Sequence, residues 1–115
     1  MFLTETGWVL EATADNATAA ATQAANPGQS HYIDGFDVTY STAPTGVKVH
    51  TLKYTPTEGG PEVTLTYDVN YTVSDGRVPF PVPVRCAHDT RVLLTAAASG
   101  TGGQTSRAHL YGRTM

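Results

Sequence analysis

Thiol chemistry is nearly absent from this chain: Cys86 is the single cysteine in 115 residues. One cysteine excludes an intrachain disulfide and any cysteine-based metal cluster. Cys86 stands beside the apolar run 78–84 and reads as a small buried hydrophobe rather than a reactive thiol. Charge is scarce as well. Asp, Glu, Lys and Arg make up 15% of the residues against 40% hydrophobic, so a packed core is within reach and wholesale disorder is not expected. A net charge of −3 and a pI near 5.7 supply no basic stripe of the kind a nucleic-acid partner requires. No apolar run approaches the roughly 20 residues of a membrane helix, and Met1-Phe2-Leu3 is too short, without a basic flank, to open a signal peptide. Without that signal, Asn16-Ala17-Thr18 and Asn70-Tyr71-Thr72 read as chance glycosylation sequons. The expectation is a soluble, unprocessed single domain with no nucleic-acid and no membrane partner.

Thr, Ala, Gly and Val fill the space the charges leave, a mixture suited to sheets and tight turns. The clearest pattern lies in 62–73. Val63, Leu65, Tyr67, Val69, Tyr71 and Val73 alternate with Glu62, Thr64, Thr66, Asp68, Asn70 and Thr72, which predicts a long strand with one apolar and one wet face. Turn sequences bound it, Glu58-Gly59-Gly60-Pro61 before and Ser74-Asp75-Gly76 after. Further strands are expected over 31–40, with Gly35 marking a bulge or a close backbone approach, and over 47–54, 91–97 and 106–111. Residues 80–86 follow or contain prolines 79, 81 and 83, which donate no ladder hydrogen bond. That segment is an edge strand or an extended piece outside the ladder. The alanine–threonine run 17–25 suits a helix or an exposed strand, with strand favoured.

Residues 7–12 read as a strand, and Met1 to Thr6 as an arm ordered against a partner. Seven or eight strands separated by turns describe an all-β protein. An antiparallel β-sandwich of jelly-roll type is expected, with residues 1–12 as an N-terminal arm or first strand and 13–115 as the single domain.

Charge is unevenly placed. Residues 1–47 carry Glu5, Glu11, Asp15, Asp34 and Asp37 with no lysine or arginine, while 76–115 carry Arg77, Arg85, Arg91, Arg107 and Arg113 against Asp89. The two sets can pair within the fold, between copies or with an acidic partner. Catalytic patterns are missing. The glycine-rich stretch 99–106 lacks the lysine of a phosphate loop and precedes a strand, so a flexible hairpin loop is expected. His31, His50, His88 and His109 show no zinc-motif spacing, and there is no Gly-x-Ser-x-Gly element. His31 with Asp34 and Asp37, or His88 with Asp89, would need further ligands to hold a metal. Structural histidines at strand ends are the default, apart from the case in which copies bring one histidine each to a three-fold axis. Tyr67 and Tyr71 are expected in packing. No cofactor, no metal and no enzymatic activity are expected.

Set in order, several pieces carry a resemblance. His31-Tyr32-Ile33-Asp34-Gly35, followed by a β run ending Tyr40-Ser41-Thr42-Ala43-Pro44, resembles the opening of a group of small bacteriophage virion proteins. Val78-Pro79-Phe80-Pro81-Val82-Pro83 resembles the group's "F-P-x-P" segment, and residues 92–103 with Leu110-Tyr111-Gly112-Arg113-Thr114 resemble its closing hairpin. The likeness spans residues 18–115. The chain departs from the group in a longer excursion over 54–73, and in Cys86-Ala87-His88-Asp89 where a Gly/Asn-rich link is usual. The resemblance implies a jelly-roll module that forms homotrimers and serves as a head decoration (cement) protein or as a fibre-, neck- or tail-associated component. It further implies the major capsid protein as partner and a place on the capsid surface after synthesis in the host bacterial cytoplasm.

For such a role the expected capsid or inter-subunit contacts are Phe2, Leu3, Trp8 and Val9 on the N-terminal segment, with Arg85, Arg91, Arg107 and Arg113. Trp8 and Val9 equally suit a cap on the domain's own core. If a host glycan or receptor is the target, loops 55–61 and 99–105 are the expected grip.

Overall fold

A computed structural model describes residues 6–44, 46–71, 75–100 and 102–115. Eight strands follow in order: β1 (Thr6–Asp15), β2 (Ala19–Gln23), β3 (His31–Tyr40), β4 (Gly46–Tyr54), β5 (Val63–Tyr71), β6 (Asp75–Arg85), β7 (Val92–Ala96) and β8 (Thr105–Thr114). They form two four-stranded antiparallel sheets. Sheet A runs β1-β8-β3-β6 and sheet B runs β2-β7-β4-β5. Every connection crosses from one sheet to the other except the β4–β5 hairpin, the wiring of a jelly-roll β-sandwich.

Sequence periodicity accounts for most of this. Along β5 the apolar residues Val63, Leu65, Tyr67, Val69 and Tyr71 face inward while Thr64, Thr66, Asp68 and Asn70 stay exposed. Val73 lies outside the described residues. In β3 the alternation changes phase: His31 and Ile33 point inward, and so do Phe36, Val38 and Tyr40. A bulge at Asp34 and Gly35 absorbs the extra residue, and the register against both β6 and β8 breaks between Ile33 and Gly35. Gly35 has a φ of 154°, and a Cβ there would lie 2.6 Å from Tyr111 Oη and 2.7 Å from Val78 O, so glycine is required. β6, with prolines 79, 81 and 83, pairs only with β3 and forms an edge of sheet A. The run 17–25 resolves as the short strand β2, with Ala19 and Ala21 buried beside β7.

Residues 6–12 belong to β1, paired with β8 from Thr6↔Thr114 to Asp15↔Thr105, so of the two readings for the N-terminal segment this part takes that of the first strand. One expectation changes: the closing elements β7 and β8 do not form a hairpin. They lie in different sheets, and the 97–104 connection turns a corner between them. Loop length permits either path. The buried alternations of Val92, Leu94 and Ala96 in one strand and Ala108 and Leu110 in the other place each on the inner face of its own sheet.

The core between the sheets is led by Phe36, Ile33, Leu52, Leu94, Leu110, Val38 and Val92. Phe36 meets Tyr67 edge-to-face at 5.2 Å and Phe80 at 6.2 Å, the favoured arrangement for aromatic pairs. Two buried histidines carry hydrogen bonds through this core. Ala97 N–H donates to His50 Nδ1 (3.1 Å), which leaves Nε2–H to donate to Tyr71 Oη (2.9 Å), and Tyr71 in turn donates to the Val38 carbonyl (3.0 Å). In the other chain, Trp8 Nε1–H donates to Thr114 Oγ1 (3.0 Å), that hydroxyl donates to His31 Nδ1 (2.7 Å), and His31 Nε2–H donates to the Ala24 carbonyl (2.7 Å). Cys86 is fully buried, and burial pushes its thiol up to about 12.

Candidate functional site

The outer face of sheet A gathers most of the polar chemistry. Strand alternation aims Arg107, His109, Tyr111 and Arg113 outward from β8, and the β3 bulge aims Asp34, Asp37 and Thr39 the same way. Cross-strand register then assembles a row through all four strands: Glu11 opposite His109, His109 opposite Asp37, and Asp37 opposite Arg77. His109 sits between two carboxylates, with Nδ1 2.9 Å from Asp37 Oδ1 and Nε2 3.5 Å from Glu11 Oε2. Arg107 Nε lies 3.1 Å from Glu11, and Arg113 lies 3.4 Å from Asp34. Arg77 is exposed and forms no ion pair among the described residues. Burial first, then the Asp37 charge, raises the Tyr111 phenol above its ordinary value, with Arg77 acting the other way.

Two adjoining depressions open on this face. One, about 400 Å³, is lined by Asp37, Thr39, Gly76 and Arg77. The other, about 320 Å³, is lined by Thr39, Tyr40, Ser41, Thr105 and Arg107. Thr39 is common to both and marks where the two parts of this hollow adjoin. Its side chains offer hydrogen-bond donors and acceptors side by side. Both ring nitrogens of His109 face carboxylates, so no neighbouring hydroxyl is served by it as a base.

The residues expected to make contacts from sequence fall in different places. Phe2 and Leu3 lie outside the described residues. Trp8 turns inward, with its ring edge-on to His31 at 5.9 Å and its N–H on Thr114, whereas Val9 is 68% exposed on the outer face. Of the arginines, Arg107 and Arg113 join the sheet A face. Arg85 and Arg91 lie at one end of the sandwich, 3.2 Å from Glu58 and 3.3 Å from Glu62. All four pair with carboxylates of their own chain.

Loop 55–61 is a brace. Glu58 accepts from the His88 amide at 3.1 Å, and that bond, ahead of the one from Arg85, holds its carboxyl below the usual range. The metal groupings weighed from sequence come apart. His31 is buried in its hydrogen-bond chain, Asp34 pairs with Arg113, Asp37 with His109, and Asp89 accepts from the Gly28 amide at 2.6 Å. Among the described residues no three His, Cys, Asp or Glu side chains gather as metal ligands would. Arg77, Thr39, Asp37 and His109 were not singled out as contacts from the sequence. The polar alternation of β8 is visible there, but its partners on β3 and β6 are not.

The chain is an antiparallel β-sandwich of jelly-roll type. No known family and no characterised protein matches its sequence. Solved structures of similar shape include the family 32 carbohydrate-binding module of C. perfringens NanJ in complex with galactose (13% identity, 94% of this chain and 99% of that one, TM-score 0.47). TmCBM61 in complex with β-1,4-galactotriose is similar at 13% identity over 93% of this chain and 67% of that one, TM-score 0.45. The virus-like particle of the extra small virus of the prawn Macrobrachium rosenbergii is similar at 12% identity over 99% and 81%, TM-score 0.32.

Proposed function

We propose that the chain is a non-catalytic structural protein of a virion, a capsid decoration (cement) module that binds the outer shell as a homotrimer. One observation carries the self-association: the flank where β5 stands against β6 is unfinished as a core. On β3, Ile33, Phe36 and Val38 are fully buried, yet Val63, Leu65, Tyr67 and Val69 of β5 and Val78, Phe80 and Val84 of β6 are only partly covered. Val82 on β6, 75% exposed, adds to this apolar surface, whereas Val47 and Val49 of β4 stand on the outer face of sheet B opposite Asn70 and Asp68. Contiguous apolar surface of this kind favours burial against a partner. The same flank of two further copies, meeting about a three-fold axis, is the occupant, since 78–84 is uncharged and Asp68 is the sole charge in 63–71. Repeated copies would then bind the major capsid protein at several points at once, adding avidity without new chemistry.

Light scattering tests the first step. A native mass near three times 12.2 kDa is expected, falling towards one copy in Leu65→Glu/Val82→Glu. A wild-type monomer that ignores purified capsids would remove the proposal. A different observation favours a second reading, a fibre-, neck- or tail-associated module that grips a host glycan: the polar hollow on the outer face of sheet A. Saturable binding to host envelopes, lost when their glycans are stripped, is its test.

A further inference from the structure

We infer that the hollow on sheet A is a subsite for a neutral saccharide, with Asp37, Arg77 and Thr39 as the residues that select it; the inference rests on the glycan reading above. The case begins with charge. The two depressions are lined by the guanidinium groups of Arg77 and Arg107 and the carboxylate of Asp37. Arg107 is matched by Glu11 at 3.1 Å, so it offers no uncompensated charge. The remaining pair, Asp37 and Arg77, face each other across β3 and β6 and line the larger depression together. An anionic ligand there would meet Asp37, and a cationic one would meet Arg77. A neutral ligand meets neither penalty.

Hydrogen bonding narrows the class. Asp37 spends Oδ1 on His109, leaving Oδ2 to accept, while the Arg77 fork donates in one plane. A carboxylate acceptor beside a guanidinium donor matches adjacent hydroxyl groups, each of which donates and accepts at once. Thr39, shared by both depressions, and Thr105 form no side-chain hydrogen bond among the described residues and can serve a ligand in either sense. Ser41 is already committed, donating to Gln104 Oε1 at 2.8 Å and accepting from the Thr105 amide at 2.9 Å. At about 400 and 320 Å³ the two parts lie in the range of small-ligand sites and suit successive sugar units. His109, clamped between Glu11 and Asp37, is a positioning residue that fixes the carboxylate the sugar would meet.

The experiment is isothermal titration of the full chain with neutral tetrasaccharides of galactose, glucose and mannose, and with tetragalacturonate as the charged counterpart. At least one neutral probe is expected to bind. Its affinity should fall roughly tenfold or more in Arg77→Ala and in Thr39→Val, as loss of a charged or paired hydrogen bond implies. Melting should be unchanged because both side chains are free of internal ion pairs, and Arg91→Ala at the far end should leave binding intact. Preference for tetragalacturonate would overturn the inference while leaving the glycan reading in place. Neutral binding indifferent to Arg77 and Thr39 would do the same, moving the grip elsewhere on the surface. No binding of any probe at millimolar concentration would remove both.

Discussion

His50 and His31 illustrate how single residues tie the two sheets. His50 must keep Nδ1 unprotonated to accept from the Ala97 amide, and burial, followed by the Lys48 charge, lowers its pKa to about 4. The unfolded chain takes up the proton near the ordinary value of about 6.5, so this residue's contribution is fully present above that pH. It is lost progressively as pH falls towards 4. Urea denaturation should therefore show stability lower at pH 4 than at pH 7, with His50 accounting for on the order of 2 kcal/mol of the difference. The His50→Gln variant should lose that part of the pH dependence, and identical slopes in the two proteins would contradict the assignment. Trp8 allows a second test at this scale. Trp8→Phe keeps the apolar contact but removes the donor to Thr114, and should cost about 1 kcal/mol in the same assay.

At the level of elements, β3 depends on its bulge. Were β3 regular, without the bulge at Asp34 and Gly35, Ile33 and Phe36 would face opposite sides of sheet A, and Asp34 and Asp37 would not share the outer face. Gly35→Ala forces a Cβ against Tyr111 Oη and the Val78 carbonyl, in a backbone conformation that alanine avoids. A loss of about 2–3 kcal/mol, as for overpacking at a rigid backbone site, is the expected outcome of thermal or urea unfolding. A neutral result would mean that β6 can move away without cost. β6 itself is guarded by prolines 79, 81 and 83, which remove three amide donors from an edge of sheet A and discourage continuation of the sheet by a stray strand. The association proposed for this flank therefore uses side chains rather than a strand added to β6.

For the whole molecule, the first and last strands are neighbours. β1 pairs with β8 along its full length, and Trp8, Leu10, Ala12 and Ala14 pack against the core. Deleting residues 1–12 should unfold the domain, seen as loss of the cooperative melt. A truncated chain that melts like the parent would show that β1 is dispensable. Because this closure joins residues about a hundred positions apart, folding is expected in the slow range of β-sandwiches, milliseconds to seconds. The edge strand β6 borders both surfaces: Gly76 and Arg77 line the larger depression, and Val78, Phe80 and Val84 stand on the β5/β6 flank.

What the sequence determined by itself was local. Period-two alternation marked β5, glycine and proline marked the bulge and the edge strand, and the lone Cys86 beside an apolar run read as buried; each depends on a residue and its immediate neighbours. Tertiary structure decided the rest. Whether 97–104 closes a hairpin or turns between sheets, and whether residues 6–12 hang free or lie against β8, depends on contacts that chain distance does not encode. The same holds for the candidate site. Arg107, His109, Tyr111 and Arg113 can be read as one wet face of a strand, but Glu11, Asp37 and Arg77 join them only through register across four strands. Cross-strand neighbours are set by which sheet edges meet when the core closes, and that is a property of the packed molecule.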